Sequence, residues 1–106
     1  MADLDAAVAA LDTCSEVVAE LDLRCCDPGR SPSMQRLAET IDRARAHLSD
    51  DPSVEGFWME VEDAGAQVSR LQVACCAPNR LPLYTRVLGE LTAARMAFDS
   101  AHGLGH

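Results

Sequence analysis

The chain has 106 residues, 48% hydrophobic but with only four aromatics, which suffices for one modest core and a single domain over residues 1–106. Its formal charge is −8 and all nine basic residues are arginine, so it lacks the basic stripe a nucleic-acid binder needs, and the same charge argues against anionic membrane surfaces. It holds no run of 18 apolar residues to span a bilayer, and the acidic start Met1-Ala2-Asp3-Leu4-Asp5 lacks the charged-then-apolar order of a signal peptide, so a cytoplasmic location is expected.

Seventeen alanines favour close-packed helices over a sandwich of strands. Together with arginine in place of lysine, they suit a high-GC bacterial genome. The first helix is expected from about Asp3 to Cys26. Its apolar stripe is Leu4, Val8, Leu11, Cys14, Val18, Leu21 and Cys25, spaced by threes and fours. A turn follows at Pro28-Gly29. Ser31-Pro32 then offers an N-cap and a proline at the first helical position of a second helix, whose stripe is Met34, Leu37, Ile41, Ala44 and Leu48. A short link at Ser49–Pro52 leads into a third helix, from about Pro52 to Cys76, with Asp51 as its cap. Its stripe is Val54, Trp58, Val61, Ala64, Val68, Leu71 and Cys75. After a turn at Pro78-Asn79, Pro82 opens a fourth helix on Tyr84, Val87, Leu91, Ala94 and Phe98, and Gly103 is the expected C-cap.

The third and fourth stripes are the first and second moved by 50 residues. At that offset, without a gap, ten positions are identical, and six of them fall within twelve residues: Cys25/Cys75, Cys26/Cys76, Pro28/Pro78, Arg30/Arg80, Pro32/Pro82 and Arg36/Arg86. Gly29 matches Asn79, the two residues that most readily take positive φ, so a backbone shape repeats along with the side chains. The expected fold is therefore all-α, an up-down-up-down four-helix bundle of two tandem hairpins, residues 3–50 and 52–102, related by a pseudo-twofold axis. Short connections make consecutive helices antiparallel. That order brings both Cys-Cys-x-Pro-x-Arg-x-Pro corners to one end, and the first and third helices are expected to face each other there.

Five cysteines in a cytoplasmic chain point to metal ligation, redox chemistry or small buried side chains before a disulfide framework. Cys25 and Cys75 continue the core stripes; Cys26 and Cys76 lie about 100° further round. Thiolates select zinc, copper(I) or iron–sulfur clusters. Adjacent cysteines diverge on a helix, and the usual zinc and cluster spacings are absent, so a larger or less regular acceptor suits them better than one tetrahedral zinc. Helix C-termini disfavour thiolates. Arg30, Arg80, Arg36 and Arg86, placed five and eleven residues beyond each first cysteine, are the candidate thiolate-supporting or anion-binding groups. A structural reading stands beside this one: cysteine as a small hydrophobe, proline fixing the turn, arginine capping carbonyls.

Cys14, opposite Ala64 in the repeat, reads as core packing. His47, His102 and His106 lie outside the repeated site. Met34, Met59 and Met96 do not cluster, and Asp12, Glu16 and Glu20 form a solvated acidic line or a docking face for a basic partner. The chain has no Glu-x-x-His, phosphate-binding Gly-rich loop, Gly-x-Ser-x-Gly or Cys-x-x-Cys, so a non-enzyme is expected. The function expected is a small binding protein whose thiol-rich end, Cys25, Cys26, Cys75 and Cys76, holds a transition metal or iron–sulfur centre, as carrier, sensor or accessory subunit. A metal-free helical adaptor or homodimeric interaction module is the alternative. A thiol redox switch through Cys25–Cys75 or Cys26–Cys76 is the third reading.

Overall fold

Strong helix formers at three-and-four apolar spacing fold as four α-helices in the computed structural model, which describes residues 2–23, 32–48, 54–74, 81–101 and 103. These are α1 (Ala2–Leu23), α2 (Pro32–Ala46), α3 (Val54–Ala74) and α4 (Leu81–Ala101). The described residues contain no strand. Proline opens α2 as expected, where its missing N–H costs nothing. Gly103 caps the other terminus with a positive φ of 69° and donates its N–H to the Ser100 carbonyl at 3.2 Å. Both corner turns, the Ser49–Pro52 link and its Asp51 cap, and Ser31 lie outside the described residues.

Side-chain pairs fix the directions. Thr40 meets Gln67 while Arg43 meets Glu60, so α2 and α3 are antiparallel. Trp58 meets Asp99 while Glu62 meets Arg95, so α3 and α4 are antiparallel as well. Asp12 pairs with Arg45 across α1 and α2 at 2.8 Å. α1 packs on α2 and α4, and α3 packs on α2 and α4. Among the described residues no Cα atom of α1 comes within 8 Å of one in α3, nor of α2 within 8 Å of one in α4; each pair lies across a diagonal. The expectation that α1 and α3 face each other as packed neighbours is therefore corrected. Short connections make sequence neighbours space neighbours, and closing the ring joins α1 to α4 in the most extensive contact of the bundle. Exchanging α1 with α3 and α2 with α4 leaves the set of packed pairs unchanged.

The core comprises Ala7, Ala10, Leu11, Cys14, Val17, Val18 and Leu21 of α1, with the equivalent positions of the other helices. The two halves bury the same register. Wherever both members of an offset-50 pair are described, they are buried together or not at all, with two exceptions: Ala10 opposite Glu60, and Thr40 opposite Glu90. The face is wider than the expected stripe, as suits a helix in a globular bundle. Phe57, not Trp58, is the fully buried aromatic of α3. Phe57 carries no polar atom and stacks on Phe98 with ring centroids 4.2 Å apart. Trp58 stays at the margin, where its indole N–H donates to Asp99 Oδ1 at 2.7 Å and the Arg95 guanidinium lies 5.0 Å from its ring centroid.

One polar cluster interrupts the apolar core. Thr40 Oγ1 donates to the Arg36 carbonyl at 2.9 Å and accepts from Gln67 Nε2 at 2.9 Å and Arg43 Nη2 at 3.1 Å. Gln67 Nε2 also donates to Asp63 Oδ2 at 3.2 Å, and Arg43 pairs with Glu60 at 3.1 Å. Thr40 is thus the acceptor that ties α3 to α2 in one register. Thr40→Val keeps the shape but strips Gln67 of its shortest hydrogen bond. It should destabilise the fold by about 1–3 kcal/mol in urea titrations, with Thr40→Ser close to wild type. A Val variant as stable as wild type would show that the cluster contributes nothing.

Candidate functional site

Antiparallel order sets Leu23 of α1 and Ala74 of α3 at the same end of the bundle, together with the starts of α2 and α4. Cys25, Cys26, Cys75, Cys76, Arg30 and Arg80 lie outside the described residues. Arg36 stands exposed near the start of α2 and Arg86 exposed near the start of α4. Because α2 and α4 are diagonal, the structure does not pair these two arginines. Among the described residues, no group of three or more His, Cys, Asp and Glu side chains is placed to hold a metal.

Charge is distributed unevenly along the bundle. The segments 15–40 and 65–90 span the corners and the helix halves leading to them, and they hold six arginines and six carboxylates. The rest of the chain holds three arginines and eleven carboxylates, and so the whole net charge of −8. Those three arginines, Arg43, Arg45 and Arg95, all pair with carboxylates on neighbouring helices. Arg36, Arg70 and Arg86, on the corner side, have no ion pair among the described residues.

Arg36 does find a neighbour that the repeat could not indicate. A cleft of about 160 Å³ between the start of α2 and the later turns of α3 is lined by Ser33, Arg36, Gln67, Arg70 and Leu71. Arg70 corresponds to Glu20 and Gln67 to Val17, so a search for residues kept in both halves passes over them. The available signal was the polar Gln67 on the buried face of α3. Gln67 is 5% exposed, and its amide nitrogen is held by Thr40 and Asp63, while its Oε1 is buried with no hydrogen-bond partner.

Cys14 is fully buried at mid-bundle, and its Sγ lies 3.8 Å from the Val87 carbonyl of α4. Burial and then the nearby Glu90 carboxylate push its thiol up to about 12. It is a core residue far from the corner end, consistent with Ala64 in the equivalent place.

Comparison with protein-family models, with curated proteins and with solved structures finds no match to this chain.

Proposed function

We propose that the chain is a small binding protein, two copies of one helical hairpin about a pseudo-twofold axis, whose corner end holds a soft metal centre through Cys25, Cys26, Cys75 and Cys76. The observation that carries this reading is the retention of both cysteines in both halves, in segments that follow α1 and α3 in the sequence, and the described ends of those two helices share one end of the bundle. Neighbouring side chains have drifted, from Arg24 to Ala74 and from Ser31 to Leu81. The uneven charge supports it: thiolates need nearby cations, and the corner side concentrates arginine while the acidic excess sits at the far side.

The sequence pattern narrows the acceptor: adjacent cysteines without the usual zinc spacing suit a cluster of several metal ions, iron–sulfur or copper–thiolate, better than one tetrahedral zinc. The site residues fit such a group in donor chemistry: four soft sulfurs with Arg30, Arg80, Arg36 and Arg86 as counter-charges.

The test is purification without oxygen, followed by metal analysis and an absorption spectrum. A cluster gives visible charge-transfer bands and loses them, with its metal, in each of Cys25→Ala, Cys26→Ala, Cys75→Ala and Cys76→Ala. A colourless, metal-free protein whose four alanine variants melt like wild type would reduce the corners to structural hinges.

A second reading has its own observation. Between α3 and α4, Val61, Leu88, Leu91 and Thr92 line a mixed groove with Arg95 and Asp99, beside Met96, which is 67% exposed. Exposed methionine beside a groove suits an interaction module. A metal-free protein that associates through this face would favour that reading.

A further inference from the structure

We propose that the cleft between α2 and α3 binds a small oxyanion of the phosphate class through Arg36 and Arg70, with Gln67 accepting a hydrogen bond from a hydroxyl of the ligand. None of the cleft residues is a cysteine; Arg36 is shared with the counter-charges of the corner thiols, while Arg70 and Gln67 belong to the cleft alone, and phosphate binding there does not require a metal.

The chemistry of the lining selects the ligand. Arg36 and Arg70 are two guanidiniums on one small cleft, and neither has an ion pair among the described residues, in a chain with 17 carboxylates. The three described arginines that do pair with carboxylates lie elsewhere. A guanidinium fork matches the paired oxygens of carboxylate and phosphate. Ser33 adds a hydroxyl, and it is the second residue of α2, a 15-residue helix whose opening N–H groups and dipole favour an anion.

Gln67 turns a basic cleft into a selective one. Its nitrogen is committed to Thr40 and Asp63, which fixes the amide's orientation and leaves Oε1 as an acceptor without a donor. A buried acceptor left unsatisfied is costly, so an occupant that brings a proton is favoured. Hydrogen phosphate offers negative oxygens to the arginines and a hydroxyl to Gln67, whereas sulfate at neutral pH offers no hydroxyl. The carboxylate that touches Gln67, Asp63, accepts from its Nε2 and is not among the residues lining the cleft. A volume of about 160 Å³ admits a phosphate or a short hydroxylated phosphate ester.

The test is calorimetric titration of the whole chain with inorganic phosphate, a glycerol phosphate and sulfate, at constant ionic strength and pH 7. Wild type should bind phosphate saturably and more tightly than sulfate. Arg36→Gln and Arg70→Gln alter exposed side chains, leave the core intact, and should each weaken phosphate binding about tenfold or more. Arg45→Gln removes the same charge from an exposed position of α2 outside the cleft, where Arg45 pairs with Asp12, and should leave binding unchanged. Tighter binding of the glycerol phosphate would assign the site to an ester; tighter binding of inorganic phosphate would assign it to the free ion. Loss of affinity in Arg45→Gln equal to that in Arg36→Gln would show only a general charge effect and overturn the site. So would the absence of saturable binding. Sulfate bound as tightly as phosphate would overturn the role of Gln67.

Discussion

Phe57→Ala should destabilise the protein by about 3–5 kcal/mol, the usual cost of deleting a fully buried aromatic side chain. Phe57 has no exposed surface, and its ring is stacked on Phe98 with an interplanar angle of 22°. The repeat-equivalent residues are Ala7 and Leu48, also buried, so this end of the core is filled by two rings from the second half. A close-packed interior relaxes only in part around the lost volume. Against a total stability of about 5–15 kcal/mol for a domain this size, the loss is a large fraction. Phe98→Leu copies what the first half already uses and should cost much less than Phe98→Ala. In a double-mutant cycle, Phe57→Ala with Phe98→Ala should show coupling of about 0.5–1.5 kcal/mol. Trp58→Phe, which deletes the indole hydrogen bond to Asp99 and trims the ring under Arg95, should cost about 1–2 kcal/mol. Urea unfolding of these variants provides the check, and a Trp58→Phe loss exceeding that of Phe57→Ala would invert the assigned depth of the two aromatics.

The Cys14 thiol should be the slowest in the protein. Its ordinary value of 9.0 is raised to about 12, a difference of three units, so the thiolate fraction at pH 8 falls about a thousandfold. Complete burial removes access as well. Pulsed alkylation at pH 8, read by peptide mass spectrometry, should label Cys14 only after denaturant is added. The same shift sets a pH dependence. The folded state holds the Cys14 proton more tightly than the unfolded state, so its contribution to stability is fully present below pH 9. It is lost as pH rises from 9 towards 12, because the unfolded chain can then ionise and the folded one cannot. Cys14→Ala, the residue found at the equivalent position 64, should remove that alkaline component while leaving the fold intact. Rapid native labelling of Cys14 would mean that the α1–α4 interface opens readily.

The helices and their punctuation were legible because they depend on local chemistry. Apolar spacing placed all four helices, Pro32 opened α2, and Gly103 took its positive φ because glycine alone meets no Cβ penalty there. The offset of 50 residues foretold which positions are buried, since side chains a helical period apart share a face in any packing. Even the antiparallel order followed from short connections. The corner cysteines were also read from sequence alone, as a repeated pattern, and their chemistry rests on that pattern.

Tertiary structure alone decided the rest, since it concerns residues that no local rule connects. Trp58 and Phe57 are adjacent on a broad apolar face, and only the packing of α4, with Asp99 for the indole and Phe98 for the phenyl ring, sorted margin from centre. The ring of contacts, with α1 closed on α4 and α1 set diagonal to α3, depends on how four surfaces share one core, a global balance that a stripe does not encode. Arg36 and Arg70 meet on one cleft for the same reason: they come from different helices, and Arg70 stands where the first half has Glu20, so only the register of α2 against α3 brings them together. That register is held by Thr40 and Gln67, the hydrogen-bonded pair that the apolar pattern passed over.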